Sequence, residues 1–439
     1  MPYKTRNGKK GGEKTAKSRF FQSVRGMQDI LPKDEVWWKA IFQAGYTIAE
    51  LHDFRFIETP ILEPAGLFEA GVGATTDIVE KEMYIFKTKG GDRVALRPEG
   101  TAPVVRSYHQ NHLGYYALPL RVFYYGPMFR YEKPQRGRER QFHQWGFEIL
   151  GDADPVYDVQ IILASLHFLE ELKIKDVKLK IGTIGCRVCR PTYREKLRAY
   201  YTRLKSKLCK DCVRRLEKNP LRLLDCKEEA CVSLRKDAPL ILDYLCQNCN
   251  NNFKGVLELV DDNNILYELD PHLVRGLDYY NRSVFEFVSG SLPDLSLGGG
   301  GRYDYLSEIL GGRSLPAVGV SFGLERIVEA MQQGNPPHLR EKSKVSFIAV
   351  GDQAKKTSTA FMHQLRKNNI AVLESLGKKS LKAQLKSANK FGAPLALIMG
   401  QQEVFEGSLI VRDMVSGAQE TIVAEKLVEE VKKRLRNGS

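Results

Sequence analysis

Apolar residues fall along this chain in two rhythms, and the switch between them marks where elements begin and end. Trp37, Trp38, Ile41, Phe42, Ile48 and Leu51 recur at helical spacing, which predicts a helix over Asp34 to Asp53. Pro32 sits near its start, a favoured position. Asp154 to Leu172 has the same rhythm, and Pro98-Glu99-Gly100-Thr101 opens another helix that runs through Tyr108. Leu67 to Gly71 reads as a short helix and turn. Tyr84 to Lys87 and Arg93 to Arg97 predict two hairpin strands joined across Gly90-Gly91. Arg121 to Tyr125 is strand-like until Gly126-Pro127 breaks it, and Phe129 to Glu132 is extended again. Gln141 to Glu148 then alternates, with apolar residues at 142, 145 and 147. The expectation there is two antiparallel strands joined by a long basic loop. Ser283 to Val288 alternates as a half-buried strand does, and Ala317 to Phe322 runs into a helix through Gly323. So many strands in a mostly antiparallel pattern predict an α+β domain.

The character changes over 173–256, where charged helices appear, punctuated by Asn219-Pro220 and Ala238-Pro239. A helical insertion there divides the α+β domain into 21–172 and 257–335. Beyond Gln333 to Pro337 a linker leads to a further unit, 336–439. In it the strands Val345 to Val350, Ile370 to Leu373 and Leu395 to Met399 alternate with helices Ser358 to Asn368 and Leu381 to Lys390. That alternation predicts an α/β fold with a parallel core, closed by a basic amphipathic helix, Ala424 to Arg436. Residues 1–20 carry Lys4, Arg6, Lys9, Lys10, Lys14, Lys17 and Arg19 against Glu13 alone, and read as a disordered basic tail.

Charge sharpens the picture. The 439 residues carry a formal net charge of +14, a balance that favours polyanionic partners such as RNA. No apolar run approaches the roughly 18 residues of a membrane span. The N-terminus has no apolar secretory core, and it is rich in lysine and glycine rather than arginine and serine, so a cytoplasmic protein is expected. All eight cysteines fall between 186 and 249: Cys186/Cys189, Cys209/Cys212, Cys226/Cys231 and Cys246/Cys249. In a cytosolic setting paired C-x-x-C spacings argue for structural zinc. Cys209, Cys212, Cys246 and Cys249 make one expected site and the remaining four a second. Reduced thiols without metal are the alternative reading. Either way the insertion is expected to stand apart from the chemistry.

Three segments offer that chemistry. Leu273-Val274-Arg275-Gly276-Leu277-Asp278-Tyr279-Tyr280 packs a fixed cation, two phenols and two flat aromatic walls into one loop, which suits a small polar ligand beside an anion. Residues 121–150 place Arg130 and Glu132 before a loop rich in arginine and lysine, Lys133 to Arg140, that suits phosphates. Gly323-Leu324-Glu325-Arg326 sets an arginine about one turn inside a helix. Gly298 to Gly301 lacks the Lys-Ser/Thr of a Walker motif and reads as a place where backbone approaches a ligand closely, or as a hairpin turn.

In this order the segments resemble the signature motifs of class II aminoacyl-tRNA synthetases. Phe54 to Pro60 looks like motif 1, Arg130 with Glu132 like motif 2, and Gly323 to Arg326 like motif 3. The LVRGLDYY run and Gly298 to Asp304 look like the two histidine-specific motifs of the histidyl-tRNA synthetase family, and 336–439 resembles its anticodon-binding domain. The resemblance implies a ligase that activates L-histidine with Mg²⁺-bound ATP and passes it to the 3' end of tRNA(His), as a homodimer. It implies Arg130 and Arg275 as catalytic cations on the α-phosphate and carboxylate. Arg130, Glu132, Arg275 and Arg326 would bind ATP, with the metal's protein ligands left unnamed. Glu99, Gly100, Thr101, Arg130, Gln144, Glu148, Arg275, Tyr279, Tyr280 and Tyr303 would bind histidine: Glu99, Thr101 and Gln144 take the α-ammonium, Glu148 and Tyr280 read the imidazole, and Tyr279 and Tyr303 wall the pocket. The basic loop Pro134 to Arg140 would face the tRNA acceptor end. Some proteins of this fold have lost aminoacylation and act as regulatory subunits or sensors of uncharged tRNA. They typically lose the LVRGLDYY-type run, the C-terminal domain or the catalytic arginines, and this chain keeps all three.

Overall fold

Eight strands make one large sheet in the computed structural model, in the order Arg55–Phe56, Leu120–Phe129, Gln141–Leu150, Ala317–Gly323, Ser296–Arg302, Asn281–Ser289, Val177–Thr183 and Tyr267–Leu269. Every neighbouring pair is antiparallel except the two at the edges. The structure describes residues 21–437 apart from 75, 117, 293–295, 338–343 and 379, so the expected basic tail, 1–20, lies outside the described residues. By its contacts the chain divides into two units, Met1–Pro337 and His338–Ser439.

The central strands are buried on both faces because helices cover one side. Helix Glu35–Leu51 turns Trp38, Ile41, Ala44, Ile48 and Ala49 inward. Helix Val156–Glu171 packs beside it on the same sheet, and buries Val159, Ile161, Ile162, Ala164, Phe168 and Leu169. Cross-strand aromatics lock the register. Trp145 is fully buried and stacks on Phe123 at 5.2 Å and on Tyr125 at 5.3 Å between ring centroids. Each such buried side chain contributes about 1.5–3 kcal/mol of apolar burial, and the ring pairs add about 0.5–1.5 kcal/mol. A small antiparallel sheet, Leu62–Pro64, Arg93–Leu96 and Ile85–Lys87, carries the expected hairpin. Its turn passes through Gly91 at φ 93°.

The α+β expectation holds, with three local corrections. Gly126-Pro127 does not end its strand: Leu120–Phe129 pairs with Gln141–Leu150 along its whole length. The outer neighbour, Arg55–Phe56, stops opposite Phe123, so the strand edge at Pro127 has no ladder partner to supply and a missing N–H is tolerated. Gly298 to Gly301 form neither a turn nor a loop but the buried strand Ser296–Arg302. The segment expected to open the helical insertion contains Val177–Thr183, a strand of the large sheet. The insertion's own helices run from Arg190–Arg203 to Gln247–Asp262, around a core that includes Tyr193, Leu197, Tyr201 and Leu216.

The second unit has a five-stranded sheet in the order Ala371–Glu374, Lys344–Ala349, Leu395–Met399, Ser408–Asp413 and Gln419–Val423. The first three strands are parallel, as the alternating pattern predicts. The last two form an antiparallel hairpin that the reading missed. Its turn is made by Asp413, whose carboxylate accepts from the backbone of Val415 and Ser416, and by Gly417 at φ 78°. No helix among the described residues is long and apolar enough to cross a membrane.

Candidate functional site

A cavity of about 270 Å³ opens in the first unit, lined by Glu99, Arg130, Glu132, Gln144, Arg275, Tyr279, Tyr280 and Arg326 among others. Its floor is acidic and sealed. Glu99 stands one residue before the N-cap, Gly100, of helix Thr101–Gln110, and its carboxylate accepts from Thr101 N at 2.7 Å and Ala102 N at 2.9 Å. Those are orphan N–H groups of a helix start, which favour an anion. The Tyr279 hydroxyl also donates to Glu99, at 3.3 Å. Glu148 lies deeper, on Gln141–Leu150, and is fully buried. Its Oε1 accepts from the Thr101 hydroxyl at 2.8 Å and its Oε2 from the Tyr303 hydroxyl at 2.5 Å. Burial pushes the Glu148 carboxyl up to about 8; the two hydroxyl bonds oppose the rise and the charge of Glu99 adds to it. Burial also raises Glu99, against its backbone N–H bonds and the Arg130 cation. Tyr280 is pushed up to about 12, mainly by burial, so it stays a hydroxyl donor. Its ring lies 4.7 Å from Tyr279 and 6.5 Å from Tyr303.

The carboxylate of Glu148 needs a gap in the neighbouring strand. Gly319 lies opposite it in the ladder, and a Cβ there would fall 1.5 Å from Oε2. Gly299 plays the same part at the mouth, where a Cβ would meet the Arg275 guanidinium at 2.5 Å. The close approach read into the glycine run is therefore to a side chain of the protein itself.

The mouth is cationic. Arg130 donates from Nε to Pro98 O at 2.9 Å, with its guanidinium over the Phe142 ring at 5.1 Å. Arg326 donates to Gly137 O and Ser296 O, both at 2.9 Å. Arg275 pairs with Glu286 at 3.2 Å. Carbonyls orient the guanidinium groups of Arg130 and Arg326 without neutralising them. Burial lowers the Arg326 pKa, and the cations of Arg130, Arg138 and Arg275 lower it further, with Glu132 opposing. Crowding of this kind is relieved by a bound anion.

Eight of the expected residues therefore line the cavity, while Gly100, Thr101, Glu148 and Tyr303 lie behind its floor. Gly100 sits under the ring of Tyr124, 2.2 Å from where its Cβ would be. Tyr124 packs against these residues and was missed. Burial, then the charges of Glu148 and Glu99, hold its phenol well above the usual range. Nothing in a run of alternating aromatics marks one phenol as functional. Gln144 Oε1 is buried without a hydrogen-bond partner among the described residues, an acceptor left open beside the cavity. The basic loop is less free than expected. Arg136 pairs with Glu329, Arg138 with Glu132 at 3.3 Å, and Arg140 lies 3.8 Å over the Tyr131 ring.

The expected cysteine site also needs correction. Cys209 and Cys212 meet Cys226 and Cys231, whereas Cys246 and Cys249 meet Cys186 and Cys189. The turn at Pro220–Leu223 folds the chain back so that Cys226 returns to Cys209, 3.9 Å away.

The chain has relatives over nearly its whole length. The model of the Histidyl-tRNA synthetase family matches residues 26–327, and that of the Anticodon binding domain matches 344–434. A histidine–tRNA ligase of Dehalococcoides mccartyi is 42% identical, covering 95% of this chain and 100% of that protein. The crystal structure of apo S. aureus histidyl-tRNA synthetase superposes with a TM-score of 0.77 at 32% identity, covering 93% of this chain and 99% of the other. A Bacillus halodurans structure described as an ATP phosphoribosyltransferase regulatory subunit/histidyl-tRNA synthetase has a TM-score of 0.61 at 22% identity, over 84% of this chain and 97% of its own, a likeness of fold alone.

Proposed function

The chain belongs to the histidyl-tRNA synthetase family and ligates histidine to tRNA at the expense of ATP, and from that premise we propose how its residues divide the work. The observation that carries the assignment is the crowding of Arg130, Arg138, Arg275 and Arg326 around one cavity with acidic residues at its floor. A triphosphate fits the cations, and a small amine fits the floor.

Adenylate formation is an in-line attack of the histidine carboxylate on the α-phosphate. The protein's part is to position both groups and to meet the charge that develops on phosphorus oxygens. Arg130 and Arg275 would hold the α-phosphate and carboxylate, and Arg326 the far end of ATP. Glu132 would join the nucleotide contacts. The ATP enters as its Mg²⁺ complex, and Glu132, Glu139, Glu325 and Glu329 stand among the arginines as carboxylates compatible with that ion. The α-ammonium would lie between Glu99, the Thr101 hydroxyl and the open Gln144 carbonyl. Neutral imidazole has one donor and one acceptor, which Glu148 and Tyr280 complement, with Tyr279 and Tyr303 as walls.

The His338–Ser439 unit would hold the anticodon of tRNA(His), and the basic loop would guide the acceptor end. A homodimer in the cytoplasm completes the proposal. Exposed apolar side chains near Arg55–Phe56, namely Phe56, Ile61, Leu62, Tyr115, Tyr116 and Leu118, support a self-association face. The insertion is also read as a zinc-binding element, on the strength of its clustered thiols. Pyrophosphate exchange with histidine and ATP alone tests the central assignment. Exchange that depends on histidine and on no other amino acid is expected. A folded protein that binds tRNA without exchange would make the chain a sensor or regulatory subunit.

A further inference from the structure

The eight thiols form two separate sulfur clusters, Cys186/Cys189/Cys246/Cys249 and Cys209/Cys212/Cys226/Cys231, each with its ligand atoms within 4.8 Å of one another. Sulfur separations are 3.7 Å for Cys186–Cys189, 3.8 Å for Cys186–Cys246 and 3.9 Å for Cys209–Cys226. Four thiolates at about 2.3 Å from one zinc ion form a tetrahedron with edges of about 3.8 Å. Backbone N–H groups already point at the sulfurs: Val188 at Cys186 (3.3 Å), Cys246 at Cys189 (3.1 Å), Cys209 at Cys231 (3.3 Å) and Cys212 at Cys209 (3.4 Å). Such donors support thiolate ligands.

Both clusters stand behind the loop that carries Arg275 and Tyr280. That loop, 273–280, has no helix or strand of its own, so what packs on it decides where its side chains point. Val274 packs into the hydrophobic core of the insertion, beside the second cluster. The segment between Cys212 and Cys226 grips the loop twice, through Asn219 Nδ2 to Asp278 Oδ1 at 3.3 Å and Arg222 Nη1 to Arg275 O at 3.5 Å. Both gripping residues are buried. The same segment is pinned to the first part of the unit by Arg215–Asp77 at 2.9 Å and Lys218–Glu80 at 2.6 Å. At the other end of the loop, Arg190, next to Cys189, donates to the carbonyl of Tyr280. The expectation that the insertion stands apart from the chemistry is therefore corrected: it touches the backbone of two residues assigned to the site.

We propose that each cluster holds one zinc ion, and that the ion on Cys209, Cys212, Cys226 and Cys231 positions the histidine-binding loop through Asn219 and Arg222. The second half of this proposal rests on the assignment of that loop to histidine. Arg222 is a positioning residue, acting through the carbonyl of Arg275.

Elemental analysis of full-length protein purified without chelator is expected to give two zinc ions per chain. Cys209→Ser and Cys246→Ser should each leave one, and the double variant none. If Cys209 and Cys246 belonged to the same one of two sites, the double variant would keep one zinc, and that result, like a single zinc in the unaltered protein, overturns the partition. Less than about a tenth of a zinc per chain in the unaltered protein overturns metal binding altogether. In pyrophosphate exchange, Arg222→Ala, with all cysteines intact and both zinc ions kept, should raise the KM for histidine about tenfold and that for ATP less, because the loop carries Tyr279 and Tyr280 for histidine while Arg275 is shared with the α-phosphate, and a displaced positioning group acts on what it orients. Arg222→Lys should recover part of the loss, and Cys209→Ser should reproduce it. An unchanged histidine KM in Arg222→Ala overturns the positioning role. Absence of exchange in the unaltered protein would strike the histidine assignment instead.

Discussion

The floor and the mouth of the cavity are built on opposite electrostatic terms. At the floor, Glu99 and Glu148 are 2% and 0% exposed and are bonded to hydroxyls and backbone N–H groups. Burial raises both carboxyls, Glu148 to about 8. At the mouth, Arg130 and Arg326 are steered by the carbonyls of Pro98, Gly137 and Ser296, whereas Arg275 and Arg138 meet the carboxylates of Glu286 and Glu132. A carbonyl dipole aims a guanidinium and leaves its charge for a ligand. A sealed carboxyl held by hydroxyls reads a donor and acceptor pattern instead. The difference teaches that selectivity and charge neutralisation sit on different residues, so substitutions should separate them.

The largest expected effect is at the mouth. Arg275→Ala should slow histidyl-adenylate formation by roughly 10²- to 10³-fold, the scale of losing one transition-state donor. Thermal stability and tRNA affinity should change little. Single-turnover adenylate formation measures it, and a rate near that of the unaltered protein would remove Arg275 from the chemistry.

At the floor, Glu148→Gln should weaken histidine by about 1–3 kcal/mol and leave ATP nearly untouched. The structure gives the reason. Both oxygens of Glu148 accept from hydroxyls, Thr101 and Tyr303, and an amide nitrogen cannot accept. Isothermal titration with each substrate checks the contrast, and equal losses for both would mean general damage.

The same carboxyl sets a pH dependence confined to the floor. Below about 8 the free site holds a proton on Glu148, and the neutral carboxyl is a weaker acceptor for an imidazole N–H than the carboxylate. Histidine affinity should therefore climb between pH 7 and 8, by at most about tenfold per unit, and level off above. Free histidine's ring is already mostly neutral above roughly 6.5, so this window belongs to the protein. Glu148→Gln should flatten the climb. A profile that survives the substitution would assign the proton elsewhere.

How much of this was legible depends on range. Helix Glu35–Leu51 and the strands around Arg130 were visible because their periodicity is local. Gly298 to Gly301 were misread because glycine is poor in strands, and only the partner strand and Arg275 show why side chains are excluded there. Of the arginines of the mouth, Arg130 and Arg275 stood out as cations at or in a loop, and Arg326 as a cation in the first turn of a helix. The floor did not: Glu148 is one residue of a strand, and without the family resemblance nothing ties it to Thr101, 47 positions earlier, or to Tyr303, 155 later. Tyr124 and Gly319 were hidden for the same reason. The cysteines show the limit most plainly. A C-x-x-C pair states that a metal can be held but not which other pair completes the site, because that depends on where a distant turn sends the chain.

The smallest expected effect tests the comparison most finely. Tyr303→Phe keeps the ring, 5.7 Å from Tyr279, and removes one hydroxyl that donates to Glu148 Oε2 at 2.5 Å. That bond favours the charged carboxylate, so its loss should move the Glu148 midpoint further above about 8. Histidine binding at pH 7 should then weaken by about 0.5–1.5 kcal/mol, roughly two- to tenfold. The deficit should narrow as pH rises past the new midpoint, because the carboxylate can still form and the second hydroxyl, from Thr101, remains. ATP binding has no reason to change, since no arginine of the mouth touches Tyr303 in a hydrogen bond or ion pair among the described residues. Titrations of both substrates across pH 6.5 to 9 measure all of this. A midpoint that moves down, or an ATP affinity that falls in step with histidine, would show that floor and mouth act as one unit.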